Sequence, residues 1–201
     1  MKKYIVFIDF NPVNSRIPIY QFGIALLGGI ALERGWELNV IEYDYLKMDH
    51  VLKKYKKELD RADCIAVSIR NVDNTEGYGS VSYLQMMEKE LYYIAHNYRE
   101  KTVLGGAGFS ILPHKILEKY TYKYGICGRG GVVFKEMLKD LEVGNTLQNF
   151  FDEQSVLHNS STSDIYADEK LEYIWNVFPW LYNKEKKILK LFPTKISTYA
   201  L

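Results

Sequence analysis

YIVFIDF, residues 4–10, is a run of apolar side chains broken only by the acid at its carboxyl end, Asp9. A strand with one wet face alternates apolar and polar residues. This one does not, so it reads as a strand covered on both faces, as in a parallel sheet. Four similar runs follow: WELNVIEY (36–43), DCIAVSIR (63–70), KTVLGG (101–106) and YKYGICG (122–128). Helical patterns separate them. IYQFGIALLGGIALERG (19–35) closes on Gly35, and YLKMDHVLKKYKKELDRA (45–62) sets lysines opposite an apolar stripe. VSYLQMMEKELYYIAHNY (81–98) is a long helix, LPHKILEKY (112–120) a short one opened by Pro113, and GGVVFKEMLKDLEVG (130–144) the last. Strict alternation of strand and helix predicts a doubly wound α/β fold: a five-stranded parallel sheet with helices on both faces. It spans residues 1–145. The remainder, 146–201, reads as a polar linker followed by a tail.

Bulk composition agrees with one soluble domain and an appendage. The chain has 201 residues, 47% hydrophobic and 25% charged, with a formal net charge of +1. That balance argues against a nucleic-acid footprint. No segment is long enough to span a membrane. The apolar start is cut short by Asp9, Asn11 and Pro12, so it does not read as a secretory leader. Cys64 and Cys127 each sit inside an apolar run without a CxxC partner and read as buried free thiols. The expected compartment is the cytoplasm.

In a doubly wound sheet, ligands bind outside the carboxyl ends of the strands. Those ends carry Asp9-Phe10-Asn11-Pro12, Ser68-Ile69-Arg70-Asn71-Val72-Asp73, Gly105-Gly106-Ala107-Gly108-Phe109-Ser110 and Gly128-Arg129-Gly130-Gly131. Glycines leave backbone N–H groups open to an approaching group, and a helix start offers a positive end to an anion. Each piece has a plain reading too. A glycine pair after a strand is often a tight turn, and a lone arginine there is often a surface ion pair.

Taken together, VSIRNVDN (67–74), VLGGAGFSILP (103–113) and YGICGRGG…F…ML (124–138) resemble the cobalamin-binding domain found at the N-terminus of many radical SAM enzymes. The resemblance covers residues 1–145. It implies a flavodoxin-like fold with cobalamin held across the strand ends, its nucleotide tail running down beside the helix after the first strand, where Gly23, Gly28 and Gly29 leave room. Gly105, Gly106 and Gly108 would let the backbone pass near the tail phosphate and sugar, and Ser68 and Ser110 would bond the tail. Arg70, Asn71 and Asp73 would face the corrin and its amides. Phe10, Phe109 and Tyr78 would form an apolar floor, with Asn11 in the adjoining loop. Gly128, Arg129 and Gly130 open the last helix.

Two departures from the family pattern matter. The first loop lacks the Asp-x-His-x-x-Gly of cobalt-ligating relatives, which implies base-off cobalamin with no histidine beneath the metal. Arg70 is the candidate for that lower face. Where the family carries Gly-Glu-Gly-Glu, this chain has Gly128-Arg129-Gly130-Gly131. The CxxxCxxC of an iron–sulfur cluster is missing, so the chain is expected to present or deliver cobalamin to a separate radical SAM subunit. Trp175, Phe178, Trp180 and Leu181 read either as a tail packed on the domain or as docking anchors for that subunit. Other readings stay open: an accessory scaffold with a degenerate site, a flavin or nucleotide binder on the same fold, or a small hydrolase using Ser110 and His114.

Overall fold

The computed structural model describes residues 2–10, 22–43, 51–73, 81–151 and 155–158, with the backbone of 182–183 and 188–189. The strands are β1 (Tyr4–Phe10), β2 (Glu37–Tyr43), β3 (Cys64–Ile69), β4 (Thr102–Gly105), β5 (Tyr124–Cys127) and β6 (Val156–His158). They form one parallel sheet in the order β2-β1-β3-β4-β5-β6. Every residue of β1 is buried, as its unbroken apolar run requires of a central strand. The order reverses between β1 and β3, which makes that junction the topological switch point. Separately, β7 (Tyr182–Asn183) and β8 (Ile188–Leu189) pair antiparallel.

Helices cover both faces. α1 (Phe22–Glu33), α8 (Gly131–Glu142) and α9 (Leu147–Phe151) pack on one. α2 (Val51–Lys54), α3 (Lys56–Arg61), α5 (Glu88–Tyr98), α6 (Ala107–Ile111) and α7 (Pro113–Tyr120) pack on the other, with α4 (Tyr83–Met86) leading into α5. The sequence pattern differs from this in instructive places. The helix expected over 81–98 breaks at Met87, and its first turn is capped by Ser82 Oγ, which accepts from the Gln85 N–H at 3.4 Å. The stretch 107–111 forms a helical turn rather than an open loop.

The sheet has six strands rather than five, and the domain passes residue 145. Thr146 Oγ1 donates to Asn149 Oδ1 at 2.8 Å and tightens the start of α9. Leu147 and Phe151 then enter the core, and Val156 is buried on β6. The polar residues of this stretch hid two short elements that are apolar only where they touch the domain. The aromatic anchors of the expected docking tail lie outside the described residues.

Side chains alternate across a strand. Tyr4, Val6, Ile8 and Phe10 join the core under α5–α7, whereas Ile5 and Phe7 join the core under α1 and α8. Asp9 therefore faces the α1 side. Its register partners are Glu42 on β2 and Ser68 on β3, and Ser68 lies opposite Gly105 on β4. A row Glu42–Asp9–Ser68–Gly105 thus crosses the sheet near its carboxyl edge on the α1 face. At the opposite end of the helices, Glu142 accepts from Arg34 Nε at 2.7 Å and Trp36 Nε1 at 2.8 Å, with a second bond from Arg34 Nη2. This clamp ties the end of α1 to the end of α8. Among the described residues no helix is long and apolar enough to cross a membrane.

Candidate functional site

Where α1 and α8 diverge above the sheet, a cleft of about 140 Å³ remains. Its floor is Phe7, Ala66, Ser68, Val103 and Gly105; α1 supplies Gly23, Ile24 and Leu27; Gly128, Gly130, Gly131 and Phe134 close the far side. The lining is mostly apolar. An apolar cavity of roughly 150 Å³ accommodates a small aromatic ring, so the space suits one ring system of a larger ligand.

Three glycines shape this opening. A Cβ at Gly23 or Gly128 would meet nothing within 4 Å, and one at Gly105 would meet only the Ile126 carbonyl at 3.6 Å. Side chains there would project into free space rather than into the protein. α8 begins beside them at Gly131 with no side chain capping its first turn. Its leading N–H groups and dipole therefore favour an anionic group at this end of the cleft.

The other glycines serve the chain itself. Gly106 adopts φ +99°, and a Cβ on it would lie 2.5 Å from the Ile69 carbonyl oxygen. A Cβ on Gly108 would lie 2.9 Å from the Arg70 carbonyl carbon and the Asn71 nitrogen. These two bring the β4–α6 turn hard against the backbone that follows β3. The expected role for Gly106 and Gly108, close passage of a ligand tail, is thus filled by residues 69–71.

Several other expected contacts are likewise taken up internally. Phe109 is fully buried, its ring packed where Gly125 lacks a side chain, 2.2 Å from where a Cβ would sit. Phe10 is fully buried against Tyr43, ring centroids 4.9 Å apart. Neither ring is available as a floor for a macrocycle, because each fills the core under α5–α7. Ser110 Oγ donates to the Gly106 carbonyl and accepts from the Gly128 N–H, both at 2.9 Å. It fastens the β4 and β5 ends together, and that use displaces both the tail-binding and the nucleophile readings. His114 sits exposed at the start of α7.

Ser68 remains on the cleft floor. Arg70, Asn71 and Asp73 are half-buried beyond β3, with Asp73 bridged to Ser82. Arg129 is exposed at the β5–α8 turn, and Gly130 lines the cleft beside it. Asn11 and Tyr78 lie outside the described residues.

Beside the cleft floor sits Asp9, only 2% exposed, with Oδ1 lacking a hydrogen-bond partner among the described residues. Burial pushes its carboxyl up to about 8; the Glu42 charge adds to the rise and the Arg70 charge opposes it. Arg70 in turn has a buried Nη1 without a hydrogen-bond partner among the described residues. Burial works against its charge and Asp9 in part offsets this. Sequence reasoning missed Asp9 as a site residue, although a lone acid inside an apolar strand was its signal. Cys64 and Cys127 are buried free thiols, and burial raises Cys64 to about 12. Among the described residues no group of three or more His, Cys, Asp or Glu is placed to hold a metal ion.

No protein-family model matches the sequence, and no curated protein matches it. Among solved structures, the chain is similar to the radical S-adenosylmethionine methyltransferase TsrM from Kitasatospora setae. With the form holding tryptophan and a SAM analogue the TM-score is 0.62 at 19% identity, covering 72% of this chain and 26% of that one. With the form holding cobalamin and a [4Fe-4S] cluster it is 0.59 at 20% identity, covering 72% and 25%. The chain thus spans about a quarter of those proteins, and what it shares with that quarter is the flavodoxin-like fold.

Proposed function

We propose that this domain binds base-off cobalamin, with the nucleotide tail in the cleft between α1 and α8 and the corrin across the carboxyl ends of β1, β3 and β4. The observation that carries this reading is the glycine-edged cleft at the sheet's carboxyl edge, where Gly23, Gly105 and Gly128 leave open space beside an apolar floor. An aromatic base is stabilised there by burial, at roughly 25 cal/mol per Å² of apolar surface. The start of α8 takes the tail phosphate, and Ser68 offers a hydroxyl on the floor. Bound cobalamin supplies methyl-transfer or radical chemistry. The chain's own part is to hold the tail away from the cobalt and keep water out of the cleft. The likeness to TsrM supports the fold this requires. Presentation to a separate radical SAM subunit belongs to the same proposal and rests on the sequence resemblance.

The test is direct. Purified protein is mixed with hydroxocobalamin, desalted, and its visible spectrum recorded. Retained corrin bands of base-off shape are expected. A colourless protein ends this reading, and a parallel titration with flavin mononucleotide then tests the flavin alternative.

A further inference from the structure

Among the described residues, two polar groups at the switch point lack hydrogen-bond partners, and they are chemically complementary. Asp9 Oδ1 is an acceptor without a donor; Arg70 Nη1 is a donor without an acceptor. They sit at the carboxyl ends of neighbouring strands. Asp9 belongs to the row that runs through Ser68 and Gly105 into the cleft, and Arg70 follows Ser68 by two residues, just past the end of β3. Each also feels the other's charge. The backbone carrying Arg70 is held in place by Gly106 and Gly108, which press on residues 69–71. Leaving a buried donor and acceptor unsatisfied is costly, so a ligand that satisfies both gains binding energy and selectivity.

Resting on the cobalamin reading, we propose that Asp9 and Arg70 form a recognition pair for one neutral ligand group that both donates and accepts, its N–H or O–H meeting Asp9 and its oxygen meeting Arg70. A carboxylate fits this place only while Asp9 keeps its proton; above about pH 8 it brings no donor to Asp9 and sets a second anion beside it and Glu42. Cobalamin carries suitable groups in two places, the amides on the corrin edge and the hydroxyl of the tail ribose.

The experiment measures the affinity of the intact protein, and of Asp9→Leu and Arg70→Met, for three probes: hydroxocobalamin, cobinamide (which keeps the amides but has no ribose), and cobalamin monocarboxylates with one corrin amide hydrolysed. Circular dichroism and melting temperature check that each variant folds. Asp9→Asn provides a conservative replacement that keeps an acceptor and adds a donor.

At least tenfold weaker binding of hydroxocobalamin is expected for Asp9→Leu and Arg70→Met, with most of the affinity kept in Asp9→Asn. If the amide is the partner, the same losses appear with cobinamide, and at about pH 9, where Asp9 is ionised, one monocarboxylate binds wild type at least tenfold worse but recovers in Asp9→Asn. If the ribose is the partner, the losses vanish with cobinamide. Folded variants that bind hydroxocobalamin as well as wild type does overturn the pair while leaving the cobalamin reading intact. Failure of wild type to bind any of the three corrinoids overturns the reading beneath it.

Discussion

The turn after β4 and the turn after β5 look alike in sequence. Each sets glycines immediately beyond a short buried strand and ahead of a helix. In the folded chain they serve opposite ends. The first is closed: Gly106 and Gly108 are glycine because residues 69–71 of the same chain occupy the space a Cβ needs. The second is open at both ends: Gly128 has φ +73° with nothing within 4 Å, and Gly131 meets only the tip of Ile30 at 3.9 Å, although a Cβ on Gly130 between them would lie 2.9 Å from Ile126 Cγ2. A glycine after a strand marks close approach, but the approaching partner is sometimes the protein itself. Only the neighbours in space distinguish a locking turn from a receiving one.

Substituting Gly106 breaks this contrast most severely. Alanine there takes on a backbone conformation held almost only by glycine, a strain of about 1–3 kcal/mol, and also collides with the Ile69 carbonyl. Gly106→Ala is expected to cost at least about 3 kcal/mol once overpacking is added, read from urea denaturation. A variant as stable as wild type would show that the turn is not locked against β3.

Asp9 sits on the neighbouring strand, opposite Ser68, and its titration reports on the switch point. Its carboxyl in the folded protein titrates near 8, against an ordinary value of 3.8. Between those two pH values the folded chain holds a proton that the unfolded chain has released. Stability contributed by this group therefore falls as pH rises from about 4 to about 8 and levels off above. Asp9→Asn removes that slope. Relative to wild type, its melting temperature should climb steadily between pH 5 and pH 8. A difference that stays constant over that interval would place Asp9 in a more hydrated setting than its burial indicates.

The open turn gives a smaller effect. Gly128→Ala meets no neighbour but keeps the left-handed backbone, a penalty of about 1 kcal/mol; Gly128→Asn, which tolerates that conformation, should lose less. Equal losses at Gly106 and Gly128 would erase the distinction between the two turns.

How far this was legible beforehand depends on which forces each residue answers to. β1 was readable because a strand buried on both faces must be apolar throughout. The parallel order followed from the alternation of strands and helices. α9 and β6 were not readable: they are short, sit among polar residues, and are fixed by contact with a sheet already formed. The cleft was half legible. Ser68, Gly105, Gly128 and Gly130 do line it, yet Phe109 and Ser110 were indistinguishable in sequence from ligand contacts. A phenylalanine beside glycines suits a macrocycle and a core equally well. The deciding fact, that Gly125 makes room for the Phe109 ring, joins residues from different strands and has no local signature.

Gly23 gives the smallest change in stability and the sharpest test of the open side. It is the second residue of α1, lies on the cleft, and a Cβ there touches nothing. Leucine is a better helix former than glycine by somewhat under 1 kcal/mol in a helix interior, and by less in a first turn. Gly23→Leu should therefore unfold at the same temperature as wild type or slightly above it. Its side chain, however, projects into the space proposed for the tail. Affinity for hydroxocobalamin should drop at least tenfold while cobinamide, having no nucleotide, is affected less. This pairing of unharmed stability with lost binding separates a receiving glycine from a locking one, since Gly106→Ala damages the fold first. If Gly23→Leu retained full affinity for hydroxocobalamin, the tail would have to enter elsewhere, and the open glycines would be relics of loop geometry alone.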